Sequence, residues 1–138
     1  MIVLDTNVIS ELMLSRPEEH VIRWLDRQPN SSIWTTSISI FEIRFGLRVM
    51  LAGKRQASLS TFFEEWLNDV VQGRVATYDE ASARAAADLA AERHKNGRPG
   101  ELRDTMIAGI VLSNRATLAT RNVKHFEDIA KSVVNPWE

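Results

Sequence analysis

Ile2-Val3-Leu4-Asp5-Thr6-Asn7 opens the chain with three apolar residues that stop at an acid, a hydroxyl and an amide. So short an apolar run, closed by good capping residues, reads as a buried strand passing directly into a helix that continues to about Met13. The same pattern recurs downstream. Ser32 to Thr36 is rich in β-formers, and Ser37 or Ser39 is placed to cap a helix through Phe41, Phe45 and Val49 to Gly53. Arg74 to Thr77 reads as a third strand, after which Asp79 caps an Ala-rich helix that Asn96-Gly97 stops. A helix from about Leu102 to Asn114 leads to a fourth strand at Thr117 to Thr120, and Ser132 to Val134 is a last β-like segment. Pro17 starts a helix with Val21, Trp24 and Leu25 on one face, and Leu59, Phe62, Phe63, Trp66, Leu67 and Val70 keep helical spacing before the third strand. Strands alternating with helices predict an α/β fold, a mainly parallel central sheet with helices on both faces, as one domain over residues 1–138.

Composition narrows the chemistry. A chain of 138 residues, 44% hydrophobic, buries enough surface to fold without a structural staple. The absence of cysteine removes thiol nucleophiles, thiolate zinc sites and disulfides together. No apolar run approaches the roughly 18 residues of a membrane span, and no basic stretch precedes Ile2, so a cytoplasmic protein without a secretory leader is expected. Seventeen Lys and Arg stand against 18 Asp and Glu, a net charge of −1. With a pI near 6.3, binding of nucleic acid by bulk positive charge is excluded, and any phosphate-rich substrate must be held locally.

Parallel sheets bind ligands beyond the carboxyl ends of their strands. Asp5 ends the first strand, Thr120 to Asn122 ends the fourth, and Glu42 lies in the first turns of the helix after the second. Asp104, in the first turn of the helix feeding strand four, joins them if the Arg98 to Leu102 loop crosses the top of the sheet. Helical spacing puts Glu42 on a face with Ile38, Phe45 and Val49, a stripe expected to face the core, and Asp104 on one with Ile107, Ala108 and Val111. Buried carboxylates are costly unless paired, hydrogen-bonded or bound to a metal. Arg44 and Arg48 point toward the far side of their helix, so a cation other than arginine is expected. Oxygen-only ligation suits Mg²⁺ or Mn²⁺, and three scattered histidines (His20, His94, His125) argue against zinc. Each acid alone has an ordinary reading: Asp5 as an N-cap, Asp104 as a first-turn acid favoured by the helix dipole, Glu42 near a helix boundary. Their coincidence on one edge favours a site.

Four stretches in this order resemble the motifs of PIN-domain ribonucleases: Leu4 to Glu11, the Ile40-Phe41-Glu42-Ile43-Arg44-Phe45-Gly46 context, Asp104 to Ala108, and Leu118 to Phe126. More narrowly the chain resembles the VapC-type toxins of bacterial toxin–antitoxin pairs, including FitB-like and plasmid-stability members, an impression to which Asn135-Pro136-Trp137 adds. The resemblance implies a Mg²⁺- or Mn²⁺-dependent endoribonuclease that inhibits translation. It also implies a homodimer and a small VapB-like antitoxin that obstructs the acidic site and through which alone DNA is contacted. Asp5, Glu42 and Asp104 match the family's metal ligands, and Thr120 its site hydroxyl. Asn122 stands where many members have a fourth acid, which puts a second metal in doubt; Glu101, one turn before Asp104, is a candidate to compensate.

In this reading Asp5 and Asp104 ligate the metal, Glu42 positions or deprotonates a water, and Thr120 and Asn122 orient waters or a phosphate oxygen. Arg93, Lys95, Arg98 and Arg103 lead into Asp104, and Arg121 and Lys124 follow strand four; of these Arg98, Arg121 and Lys124 are the candidates for holding the RNA backbone. His125 is a candidate acid or base, though its neighbour Phe126 suggests packing, and Trp24, Trp34, Trp66 and Trp137 are expected in core or interface rather than as stacking platforms. Two other classes compete. Asn122 motivates a PIN-like module that binds RNA or protein with little or no cutting. A phosphatase or receiver domain fits less well, because Asn7 stands where the phosphatase motif needs a second Asp, and only Lys124 loosely serves a receiver. Setting aside Asp5, Glu42 and Asp104 leaves 15 acids against 17 bases, a mildly basic surface around an acidic crater.

Overall fold

A computed structural model describes all residues, Met1–Glu138. Its centre is the opening strand. β1 (Ile2–Leu4) pairs in parallel with β2 (Ile33–Thr36) on one side and β4 (Thr117–Ala119) on the other, Ile2 lying opposite both Ile33 and Thr117. β3 (Val75–Ala76) and β5 (Val133–Val134) extend the sheet outward to give the order β3-β2-β1-β4-β5, all parallel. Alternation along β1 divides the interior into two cores. Leu4 faces a core with Val8, Ile43, Leu47, Phe63 and Trp66, whereas Val3 faces one with Ile107, Val111, Leu118 and Phe126. Helices α1 (Thr6–Leu12), α2 (Glu19–Asp26), α3 (Ser37–Val49) and α4 (Lys54–Trp66) supply the first core, α4 running on into a π-turn at Leu67–Val71. The second is built from α5 (Glu80–Lys95), α6 (Leu102–Ser113) and a 3₁₀ run over Val123–Ser132. The expected parallel α/β sheet, helices on both faces, is what the chain forms.

The order of strands locates the site. The chain winds outward through β2 and β3, then returns to the other side of β1 to make β4, so the direction of winding reverses between β1 and β4. At such a switch the connections leave in opposite directions and open a crevice beyond the strand ends. Asp5 and Thr120 are the first residues past those two strands, and Asp5 N–H still bonds Ala119 O at 2.9 Å.

Two locks bring α6 to that crevice. Gly109 lets α6 lie against α5: a Cβ there would stand 2.6 Å from Ala86 Cβ, far inside van der Waals contact. Arg93, 5% exposed, donates to both carboxylate oxygens of Asp128 (2.7 and 3.0 Å), to Thr105 Oγ1 (2.9 Å) and to His125 O (3.0 Å), tying α5, α6 and the 3₁₀ run together. The Arg93 hydrogen bonds hold the Asp128 carboxyl below its usual range. Arg93 therefore clamps the fold rather than joining the exposed basic segment in which its sequence position placed it.

Several local expectations need correction. Pro17 precedes α2, which starts at Glu19, so it ends the loop rather than the helix's first turn. Thr36, not Ser37 or Ser39, caps α3, its hydroxyl accepting from Ser39 N–H at 3.0 Å, because the helix begins directly at the strand's last residue. The inward stripe of α3 is Ser39, Ile43 and Leu47; Phe45 and Val49 are 54% and 66% exposed, so Glu42 flanks the core instead of sharing a buried face with them. A serine in the inward stripe, bonded to Thr6 Oγ1, hides that stripe from a hydrophobicity pattern. The 3₁₀ turns over Val123–Ser132 were not expected as an element; they are short pieces interrupted at Phe126 and Ile129, whose backbones leave helical geometry and whose side chains are buried.

Gly109→Ala should cost about 1–3 kcal/mol of stability, the range for forcing atoms into a packed interior, measured as a lower urea midpoint at unchanged m-value.

Candidate active site

Asp5, Glu42 and Asp104 line one crater of about 420 Å³ with Thr6, Asn7, Arg121, Asn122 and Trp137, and a fourth acid, Glu11, stands on its wall. Asp5 is the deepest, 4% exposed. It caps α1 by accepting Thr6 N–H at 2.8 Å on Oδ1, while Oδ2 accepts the Thr120 hydroxyl at 2.8 Å and the Asn7 amide at 3.3 Å. The capping reading and the site reading of Asp5 are thus compatible. Burial pushes its carboxyl up from 3.8 to about 6; the Thr120 and Thr6 hydrogen bonds oppose this, and the charges of Asp104 and Glu42 add to it. Asp5 therefore feels both of the other acids across the crater.

Each of the other two carboxylates also has its own orienting partner. Glu42, one turn along from Ser39, accepts the Thr6 hydroxyl on Oε1 at 2.8 Å, and Arg103 Nη1 lies 3.7 Å from Oε2. An arginine does reach an acid here, contrary to expectation, but it comes from α6 rather than from Arg44 or Arg48. Arg44 instead bridges to Glu64 at 2.6 Å. Asp104 Oδ2 meets His125 Nδ1 at 2.9 Å, so one of the three histidines joins the site after all. Its ring is 55% exposed while Phe126 beside it is fully buried: the packing role belongs to the phenylalanine.

Thr120 is wholly buried beneath the crater, its hydroxyl given to Asp5 while it accepts from Asn122 N–H at 3.1 Å and from Asn7 Nδ2 at 3.2 Å. Asn122 faces the crater with its side chain unengaged. Glu101 caps α6 by accepting Asp104 N–H at 2.9 Å and lies 3.4 Å from Arg103, which places it on the helix end rather than on the crater. Of the candidate RNA contacts, Arg121 lines the crater, whereas Arg98 and Lys124 line a separate polar groove of about 700 Å³ that meets it at Asp104. Arg98 Nη1 is 3.9 Å from Glu127.

Thr6, Asn7, Arg103 and Trp137 are site residues the sequence reading passed over. Thr6 and Asn7 were legible only as helix-capping neighbours of Asp5, and no spacing links Arg103 to Glu42 or Trp137 to the crater. Whether these residues suit a divalent cation turns on donor chemistry. Oxygen donors and carboxylates whose charges disfavour one another suit a hard cation. No three acidic or histidine side chains close on a common point, yet Mg²⁺ needs no such cage, since it keeps several waters and takes only one or two carboxylates. The residues fit.

The PIN domain family matches residues 2–132. The plasmid stability protein StbB of Pseudomonas syringae pv. tomato is 40% identical over 138 residues, covering 100% of this chain and 99% of that protein. VapC ribonuclease Y4jK of Sinorhizobium fredii is 37% identical with the same coverage, and toxin FitB of Neisseria gonorrhoeae 32% identical over 99% of each. A solved structure of FitAB bound to an IR36 DNA fragment superposes with a TM-score of 0.91 at 32% identity, covering 100% of this chain and 96% of that one.

Because the Asp5 carboxyl holds its proton more tightly when folded than when unfolded, its ionisation opposes folding. The penalty is absent below about pH 4, grows as pH rises toward 6, and is complete above it. Asp5→Asn, in EDTA, should therefore raise stability at pH 7.5 by about 1–3 kcal/mol, and the gain should vanish by about pH 4. Denaturant titrations at the two pH values check this; a gain that persists at the lower pH contradicts it.

Proposed function

The chain belongs to the PIN-domain family, and on that premise we propose that it is a divalent-metal-dependent endoribonuclease, the toxin of a type II toxin–antitoxin pair that inhibits translation in the cytoplasm. The observation that carries this reading is the crater: three carboxylates on one strand edge, each held by a different donor, the deepest of them buried where its charge is costly.

Asp5 and Asp104 would hold the metal, with Glu42 available to the water that it activates. A bound Mg²⁺ or Mn²⁺ supplies charge neutralisation at the scissile phosphate and a more acidic water. Glu42 Oε2 takes a proton from the attacking water as its oxygen bonds to phosphorus, the phosphorus–oxygen bond to the leaving nucleoside breaks, and the leaving oxygen takes a proton from solvent water in the open crater. Thr6, through Oε1, fixes which way Glu42 faces; Thr120 does the same for Asp5 and His125 for Asp104. Asn122 offers an amide oxygen without charge, and Glu11, the fourth acid on the crater wall, accepts Glu18 N–H on Oε2, which leaves Asp5, Asp104 and Glu42 as the set for one divalent ion. Arg121 at the rim, with Arg98 and Lys124 in the adjoining groove, hold the RNA backbone.

The partners follow from two apolar surfaces. A groove of about 760 Å³ lined by Met13, Leu14, Ile43, Leu47, Leu59 and Phe62 meets the crater at Thr6 and Glu42. A VapB-like antitoxin segment whose apolar residues fill that groove ends at the carboxylates and obstructs them, and DNA is reached only through the antitoxin. The stacked, exposed Phe41 and Phe45 on α3 give a homodimer an apolar contact. No helix is long and apolar enough to cross a membrane.

Asn122 favours one other reading, a PIN-like module that binds RNA or protein without cutting. Incubating the purified protein with total tRNA and ribosomal RNA separates the two. Cleavage should require Mg²⁺ or Mn²⁺, stop in EDTA, and fall in Asp5→Ala and Asp104→Ala by more than the roughly hundredfold that even an outer partner of a metal ligand can cost. Metal-independent cleavage, or cleavage retained in either variant, overturns the assignment; binding without cleavage by the wild type supports the other reading.

A further inference from the structure

Trp137 lines the crater without a role in the proposed chemistry, and Arg121 beside it is the rim cation. β5 carries the chain back to the carboxyl edge, where Thr120 N–H donates to Val134 O at 3.0 Å, and Asn135-Pro136-Trp137 folds over the rim. Trp137 is fixed from two sides: its N–H donates to Asn135 Oδ1 at 3.0 Å, and its ring packs against the core beneath α1 and α3. Arg121 places its guanidinium carbon 5.2 Å from the centroid of that ring. Its backbone N–H donates to Asn7 Oδ1 at 3.2 Å, and Asn7 in turn donates to Asp5, so Arg121 is anchored to the deepest acid by its main chain.

The neighbouring arginines, none of which lines the crater, each stand beside an acid. Arg93 is bound to Asp128, Arg98 stands near Glu127, and Arg103 lies between Glu42 and Glu101. Arg121 does line the acidic crater, yet no carboxylate lies within ion-pair distance of it. Coulomb attraction alone would fold a free arginine onto those acids and cancel charge needed for a cation. The indole offers an alternative partner that attracts the cation through its ring and consumes none of the five N–H donors.

We propose that Trp137 is a positioning residue that holds Arg121 at the crater rim, donors free, to grip an RNA phosphate next to the one being cut. This rests on the ribonuclease reading above and adds to it the device that keeps the rim arginine off the catalytic carboxylates. The ordering cost of a long side chain is met before RNA arrives, so the benefit appears in binding.

Two measurements test this. Fluorescein-labelled total tRNA is titrated, across a range of salt, into the Asp104→Asn protein and its derivatives, while KM and kcat for RNA cleavage are measured in the otherwise wild-type background. Arg121→Ala should weaken binding and reduce the slope of log affinity against log salt by about one. Trp137→Leu should weaken binding about threefold, the size of an exposed cation–π contact, and Trp137→Tyr should restore most of it. The double variant Arg121→Ala/Trp137→Leu should bind no more weakly than Arg121→Ala alone, and in each case KM should rise while kcat stays constant.

Additive losses would mean that the indole itself stacks on RNA, and would overturn the proposal. So would a Trp137→Tyr protein of wild-type melting temperature that fails to recover binding, or a Trp137→Leu effect confined to kcat and melting temperature. A wild type that cuts RNA with the same KM as Arg121→Ala sinks this inference alone, whereas a wild type that neither binds nor cuts tRNA or ribosomal RNA removes the ribonuclease reading and this inference with it.

Discussion

The hydrogen bond from Thr120 Oγ1 to Asp5 Oδ2 spans the carboxyl ends of the two central strands, and the remainder of the site is built around the acid it holds. Asp5 is fixed by three donors, Thr6 and Asn7 of α1, both half-buried, and the buried Thr120 beyond β4. A carboxylate there raises the free energy of the folded state, as its upward shift to about 6 records. The surrounding structure has to outweigh that penalty, and does so through the two cores on either side of β1. Stability is given up at one residue to keep a negative charge where the topology opens a crevice, as happens where a binding or catalytic site overrides the preferences of a core.

Around Asp5 the other charges are arranged by restraint rather than by cancellation. Glu42 and Asp104 each accept from one neighbour on one oxygen, Thr6 and His125 respectively, which fixes their orientation with little loss of charge. Arg103 reaches Glu42 only at 3.7 Å and is shared with Glu101 at 3.4 Å, so it is not committed to the crater. The clamp at Arg93 acts at one remove: it binds Thr105, the residue after Asp104, and the backbone of His125, and so fixes the two ends of the Asp104–His125 contact from below. A near-neutral chain can therefore present a locally negative hole with positive groups at its edge, which net charge does not reveal.

What was legible in the sequence is what short-range rules control. Ile2-Val3-Leu4-Asp5 announced the central strand and its terminal acid, Asp79 the start of α5, and the spacing of Asp104 to Ile107, Ala108 and Val111 a helix on which those three residues, following Asp104 along one face, are fully buried. Because parallel strands share one carboxyl edge, three acids at strand ends and helix starts were enough to indicate a crater. The inward face of α3 was misread because the stripe that packs contains Ser39, satisfied by Thr6 from another helix, while Phe45 and Val49 look outward. Arg93, Arg103 and Trp137 escaped for a related reason. Their roles depend on partners 35, 61 and 16 residues away, a matter of how elements pack and not of any local pattern.

The crater's position between two unlike grooves bears on how a ribonuclease of this kind is kept silent. Beyond Asp104 the wall is wholly polar, with Arg98, Lys124 and His125; beyond Thr6 and Glu42 it is lined by Leu14, Ile43, Leu47 and Phe62. On the proposed reading the first surface, where Arg98 and Lys124 stand among Glu101, Glu127 and Asp128, takes the RNA backbone at those two cations, and the second takes the apolar side of a peptide. Both grooves share a border with the same carboxylates. A protein lying in the apolar groove therefore needs no conformational relay to exclude RNA, because the last residues of its footprint and the reacting phosphate compete for one space. On the proposed reading, inhibition is steric and electrostatic at the acids themselves, and the rigidity that Gly109 and Arg93 give to α6 serves both states, since neither occupant requires Asp104 to move.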